Sequence, residues 1–173
     1  DQGCAGDATI VLIHRGAPGC ARGAEPVHCL TTMKRLSDDL RTPMYQTVTR
    51  NIEVTVSPRF MPEKSSVEKG LYFWAYTVGI ANRGPVTVQL KTRHWRITDG
   101  FGRIQEVRGA GVVGEEPVLE PGASYEYTSG VPLPTPSGIM MGTYGMVTTD
   151  GERFDIDIPA FSLDGPETRR TLN

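Results

Sequence analysis

The sequence predicts an all-β domain, a two-sheet antiparallel sandwich of about seven strands, on three observations. Beyond residue 43 the apolar residues recur with a period of two, which sets successive side chains on opposite faces of a strand. Turn signals interrupt that pattern at the spacing of a sandwich. The 20 Gly and 13 Pro in 173 residues leave little uninterrupted length for helices.

The elements follow in order. Val48, Ile52, Val54 and Val56 share parity in a first run that begins at Tyr45 and closes at Ser57-Pro58. Residues 71–81 set Tyr72, Trp74, Tyr76, Val78 and Ile80 on one face and end in the turn Asn82-Arg83-Gly84-Pro85. The third run opens with Val86, Val88 and Leu90, but Trp95 and Ile97 have the opposite parity. The pattern therefore requires a bulge, placed near Arg93 or His94. An Asp99-Gly100 turn leads to a strand over 103–108, and after a Gly-rich loop residues 123–128 carry Tyr125 and Tyr127. Residues 139–149 then pair with 152–161 across Asp150-Gly151, a two-residue hairpin signal. In that last run Phe154, Ile156 and Ile158 face one way and Arg153, Asp155 and Asp157 the other.

A compositional boundary at Pro43 divides the chain into residues 1–43, read as an irregular or disordered N-terminal extension upstream of an alternative start at Met44, and a patterned domain over 44–173. Within the extension only residues 31–40 could form a helix. All three cysteines, Cys4, Cys20 and Cys29, lie in the extension, an odd number that argues against a disulfide framework and for a reducing, cytoplasmic setting. A net charge of −2 excludes a large nucleic-acid surface, which needs surplus Lys and Arg to displace counterions. No apolar run approaches the roughly 18 residues of a membrane span.

Few residue patterns carry chemistry. Gly109-Ala110-Gly111-Val112-Val113-Gly114 fits G-x-G-x-x-G, whose glycines let backbone N–H groups approach a pyrophosphate, with Arg103 and Arg108 as candidate cations. Glu115, Glu116 and Pro117 follow where a helix should open, so a turn between strands is the stronger reading. Lys91, Arg93, Arg96, Arg103 and Arg108 form the one basic concentration, with Trp95 among them; it is either an anion-binding face or a solvated one with Trp95 in the core. His94 is the only histidine after residue 43 and no cysteine accompanies it, so Cys-His catalysis and Cys- or His-rich zinc are excluded there. A triad of His94 with Ser124 or Ser129 lacks its nucleophile elbow. Asp155 and Asp157, like Glu115, Glu116 and Glu120, read as solubilising surface rather than a metal site. In the extension, Cys4, His14, Cys20, His28 and Cys29 match no standard zinc spacing. The expectation is a non-enzymatic protein with no required cofactor.

Several motifs in sequence order also resemble the bacterial ApaG family: 93–100 (RHWRITDG), 107–114 (VRGAGVVG), 117–122 (PVLEPG), 127–130 (YTSG), 135–140 (TPSGIM) and 158–161 (IPAF). The resemblance spans about residues 44–164. It implies a fibronectin type III-like, immunoglobulin-like sandwich, and a role in protein recognition, since ApaG-like domains occur in F-box proteins and in a polymerase-interacting protein. It also implies an association with cobalt resistance and magnesium efflux, hence at most a weak Mg²⁺ or Co²⁺ interaction. The family's pyrophosphate loop maps onto Gly109, Gly111 and Gly114. A soluble sandwich cannot itself conduct ions, so an efflux role would be indirect. Two binding readings follow. One is a protein-interaction module, with Arg93, Trp95 and Phe101 or the Pro-rich run over 131–136 as its surface and a homodimer as one outcome. The other is a nucleotide or pyrophosphate sensor using Gly109–Gly114 with Arg103 and Arg108.

Overall fold

The period-two pattern resolves into nine strands in the computed structural model, which describes residues 43–165. They are β1 (Tyr45–Thr49), β2 (Ile52–Phe60), β3 (Tyr72–Asn82), β4 (Val88–Asp99), β5 (Ile104–Ala110), β6 (Val118–Leu119), β7 (Ser124–Leu133), β8 (Ser137–Thr148) and β9 (Arg153–Asp164). Two single 3₁₀ turns, Pro62–Lys64 and Val67–Lys69, link β2 to β3. Every strand pairing is antiparallel. One sheet runs β1-β2-β3-β7; the other runs β5-β4-β8-β9, with β6 beside β4. The expected extension and its cysteine and histidine cluster lie outside the described residues. No helix among the described residues is long and apolar enough to cross a membrane.

Seven of these strands are the expected ones, and the two additional strands have physical causes. The first run is a hairpin, because Arg50 and Asn51 both take positive φ (49° and 63°) in a two-residue turn whose twist suits antiparallel strands. That turn reverses the face of β1: Tyr45 pairs with Val56 and Thr47 with Val54, so Val48 points out and is 55% exposed rather than sharing the face of Ile52. β2 also continues through Ser57-Pro58. Pro58 lies beyond the pair of Val56 with Tyr45, where one side of β2 has no neighbour and a missing N–H costs nothing. The hairpin between β8 and β9 has a three-residue loop rather than two, closed by Thr148 and Glu152, with Gly151 at φ +87°.

The expected bulge exists, at Lys91 rather than at Arg93 or His94. Leu90 pairs with Met146 and Thr92 with Gly145, leaving Lys91 as the extra residue. Upstream, Val88 and Leu90 face the core; downstream, Trp95 and Ile97 do. Trp95 packs edge-on against Tyr76, Tyr144 and Phe161, with centroids 5.4, 6.2 and 6.0 Å away, at the centre of the sandwich.

Asn82 is the polar counterpart of this core. It is 1% exposed at the end of β3, where its Nδ2 donates to the carbonyls of Val86 and Leu119 and its Oδ1 accepts the N–H of Gly84. One side chain thereby shapes the turn and fastens β6. Asn82→Ala orphans these backbone groups and is expected to lower the unfolding free energy by about 2–4 kcal/mol in urea titrations. A loss under about 0.5 kcal/mol would mean that water replaces the amide.

Candidate functional site on the open side of the sandwich

The two sheets are stitched together along one side and open along the other. On the closed side β1 packs against β9: the Asp157 N–H donates to Thr49 Oγ1 (3.2 Å), and the hydroxyls of Tyr45 and Ser162 bond at 2.8 Å. On the open side, β5 and β7 are sheet edges with no further strand beside them. Edges with unpaired backbone groups invite another chain unless they are covered or charged.

Part of the opening is covered by the glycine loop. After β5 the chain leaves the sheet opposite the Lys91 bulge, with the Gly111 N–H donating to the Lys91 carbonyl (2.9 Å), and returns where Pro117 accepts the Leu90 N–H (3.0 Å). Between these points Val112 and Glu115 exchange backbone bonds of 2.8 and 2.9 Å across a tight turn, and Val112 is driven into the core at 0% exposure. Val113 and Gly114 occupy that turn at φ +46° and +82°. A β-branched residue in the left-handed region is strained by about 1–2 kcal/mol. Gly111, at φ +56°, is required on two counts, since a Cβ there would also collide with the Glu115 carbonyl oxygen.

The loop's cation is Arg93, not Arg103 or Arg108. The bulge turns Arg93 onto the inner face with Trp95, and its Nη1 donates to the carbonyls of Ala110 (2.7 Å) and Gly111 (2.8 Å). Gly109 makes room for it: a Cβ there would lie 3.1 Å from the guanidinium carbon. Arg108 pairs with His94 on the outer face and bonds Glu106 (3.2 Å). Arg103 precedes β5, a strand's length from the loop, and bonds Asp99 through Nε (2.7 Å). The predicted cluster of Gly109, Gly111, Gly114, Arg103 and Arg108 is therefore not brought together. The Gly111 and Val112 N–H groups are also turned into the protein rather than toward an anion. Lys91 pairs with Glu116, and Tyr125 donates to Glu115 (3.0 Å). Partly desolvated, and beside that carboxylate, the Tyr125 phenol is pushed up to about 12.

The predicted interaction residues also divide. Phe101 is 74% exposed on the β4–β5 hairpin, as an anchor must be, with the Arg103 guanidinium over its ring. Trp95 is 1% exposed and cannot meet a partner, because the bulge that its parity revealed delivers it to the core. Arg93 faces inward too. His94 lies on the outer face of β4, 3.4 Å from Glu106, whereas Ser129 is inside the sandwich and Ser124 is in the other sheet, paired with Ala81, so neither serine is set beside His94 by strand pairing. Asp155 and Asp157 are exposed on β9, and no three His, Cys, Asp or Glu side chains gather to hold a metal among the described residues.

Two cavities remain on the open side. Beyond the loop, a groove of about 510 Å³ runs between the start of β5 and the end of β7, with Ile97 and Leu133 as its floor and Leu71, Ile104, Pro132 and Pro134 along its walls. That volume is within the range of ligand-binding clefts. Its end is rigid. Asp99 Oδ1 accepts the N–H groups of Phe101 (2.9 Å) and Arg103 (3.0 Å) while Oδ2 holds the Arg103 guanidinium. Burial acts to raise the Asp99 carboxyl, but the Arg103 N–H and guanidinium and the Phe101 N–H outweigh it and hold it below the ordinary range. Beneath the glycine loop lies a smaller cavity of about 80 Å³, lined by Tyr76, Arg93, Trp95, Tyr127, Ser129 and the 112–114 turn. Sequence reasoning missed both cavities. The parity that put Trp95 inside also puts Arg93 there, and Ser129 shares parity with Tyr127.

A two-sheet antiparallel sandwich with one open side and a glycine turn folded over it defines a class of small β domains. A model of the ApaG domain matches residues 62–148. Protein ApaG of Afipia carboxidovorans is 68% identical over 130 residues, covering 75% of this chain and all of that protein, and Protein ApaG of Rhodopseudomonas palustris is 65% identical over the same length and coverage. The crystal structure of a Bordetella pertussis protein described as ApaA superposes with a TM-score of 0.66 at 51% identity, covering 69% of this chain and 95% of that one. The chain belongs to the ApaG family.

Two expectations test this geometry. Gly111→Ala should destabilise the fold by about 2 kcal/mol or more, whereas Val113→Gly, which exchanges left-handed strain for backbone entropy, should stay within about 1 kcal/mol of the parent in urea denaturation. Equal costs would contradict the turn. The second concerns acid. Because the folded Asp99 carboxyl titrates below its unfolded value, its stabilisation is present above about pH 4 and is lost as pH falls through the depressed folded value. Asp99→Asn should therefore flatten the fall in stability between pH 7 and pH 2, and an unchanged slope would remove Asp99 from the account.

Proposed function

We propose that this ApaG domain is a non-enzymatic, cytoplasmic protein-recognition module that receives an extended segment of its partner in the groove between β5 and β7. The observation that carries the reading is the groove itself: an apolar trough flanked by two unpaired strand edges. Main-chain hydrogen bonds to an edge supply affinity, and alternate side chains of an added strand drop into the trough and supply specificity. Leu71 and Ile104, 39% and 53% exposed, stand at its walls, and the Pro-rich run expected to take part supplies Pro132 and Pro134. The Asp99-braced hairpin keeps this wall rigid, so little ordering cost falls on this side of the contact. A link to cobalt or magnesium would run through such a partner.

Nucleotide or pyrophosphate sensing at Gly109–Gly114 is the weaker reading, since the loop commits its N–H groups at Gly111 and Val112 internally and is followed by Glu115 and Glu116.

A random peptide library panned on the chain tests the proposal. The expected binders are extended sequences with alternating apolar residues, protecting from exchange those β5 amides that do not already bond β4. Their affinity should fall at least tenfold for Ile104→Asp at unchanged melting temperature. Binders that ignore Ile104→Asp and leave β5 and β7 amides unaffected would overturn it.

A further inference from the structure

We infer that the small cavity beneath the glycine loop is a binding site for a carboxylate group, held by Arg93 and Ser129. The site is separate from the groove and shares no lining residue with it. Its inference does not depend on the groove's occupant.

Arg93 holds a fixed positive charge, half-buried, on the inner face of β4, and two carbonyls hold only its Nη1. Arg93 lines the cavity with the rest of its guanidinium uncommitted to the protein, and a fork of such donors matches the two oxygens of a carboxylate. Ser129 is 1% exposed, and its hydroxyl sits beside the Tyr76 phenol without an aligned partner. A buried hydroxyl with no neighbour but that phenol has hydrogen-bonding capacity to spare, so it marks a place where a further polar group belongs. Tyr76 adds a phenol at the wall, while the Tyr127 and Tyr144 hydroxyls satisfy each other at 2.5 Å. Burial raises all three phenols, and the Arg93 charge opposes the shift in each, which places that charge within reach of every one of them.

The shape of the cavity chooses among anions. At about 80 Å³ against about 510 Å³ for the groove, it falls well below the range of clefts that take a nucleotide and suits a compact anion. Trp95 and Val112 supply an apolar wall suited to methylenes. Glu115 and Glu116 flank the loop and disfavour a doubly charged phosphate more than a singly charged carboxylate. Val113 roofs the cavity in a strained left-handed conformation, the kind of backbone cost that concentrates at ligand clamps.

Two sources offer this chemistry: a free small carboxylic acid, or a Glu, Asp or C-terminal carboxylate of another protein. The test is a ¹H–¹⁵N titration of the full chain with sodium acetate, sodium phosphate and sodium chloride at matched ionic strength, and with two pentapeptides differing only in a central Glu or Gln. Acetate should give saturable shifts at Val113, Gly114 and Ser129 that chloride does not. Ser129→Ala should weaken acetate binding about fivefold or more and Arg93→Lys by more, with Ser129→Ala retaining the native spectrum elsewhere. A Glu peptide that binds at least tenfold tighter than acetate, with the Gln peptide inert, assigns the carboxylate to a protein; acetate binding without peptide binding assigns it to a small acid. Acetate shifts equal to those of chloride, acetate binding unchanged in Ser129→Ala, or phosphate binding in preference to acetate would each overturn the proposal.

Discussion

One extra residue in β4 sets the rest of this structure. With strict alternation from Val88 and Leu90, the inner positions further along β4 would be Thr92, His94 and Arg96, and the centre of the sandwich would hold a ring of polar side chains. The Lys91 bulge shifts the register by one and delivers Trp95 and Ile97 instead. Trp95 then becomes the hub on which Tyr76, Tyr144 and Phe161 from three other strands converge. The same shift places Arg93 inward. A half-buried arginine is costly without partners, and the structure supplies them from the backbone: the carbonyls of Ala110 and Gly111 come to the guanidinium, and Gly109 leaves space for it.

The bulge also explains the glycine loop. On the side of β4 away from β8, the neighbouring chain leaves the sheet where Gly111 bonds Lys91 and rejoins it where Pro117 bonds Leu90, on either side of the bulge. It splits into β5 and β6, and the intervening residues are free to leave the sheet. They fold over the opening as a clasp, with Val112 as its plug and Gly111 as the point where no side chain fits. The spacing of Gly109, Gly111 and Gly114 therefore has three separate structural causes: clearance for Arg93, contact with the Glu115 carbonyl, and positive φ in a turn. None of the three requires a phosphate.

Much of this was legible in the sequence, and the parts that were not share a reason. Period-two alternation identified seven strands because most of them bury one face, and the parity break between Leu90 and Trp95 identified a bulge because no regular strand sets both on one face. The break bounds the bulge to that interval but does not locate it, since a shift anywhere within it has the same downstream effect. The turn at Arg50-Asn51 carries no glycine and interrupts no apolar pattern, so a hairpin read as one strand and Val48 took the wrong face. The glycine motif was read through its consensus, which looks along the chain. The residue that completes it, Arg93, is sixteen positions before Gly109 and reaches the loop only through the pairing of β4 with β5.

The two cavities on the open side differ in what they exclude, and that difference follows from which element closes over each. The groove is bounded by unpaired strand edges and apolar walls, so it discriminates by backbone geometry and side-chain shape. The pocket is lined by the Arg93 guanidinium, which only donates, and by the Ser129 and Tyr76 hydroxyls, so it discriminates by charge and hydrogen bonding. A rigid sandwich suits both, because neither depends on a large rearrangement of strands. The strain at Val113 makes the clasp the least stable part of the opening, whereas the hairpin at Asp99 is braced by three hydrogen bonds to one carboxylate. If any element moves when a ligand enters, the clasp is the one whose strain favours it, and the groove wall is the one held in place.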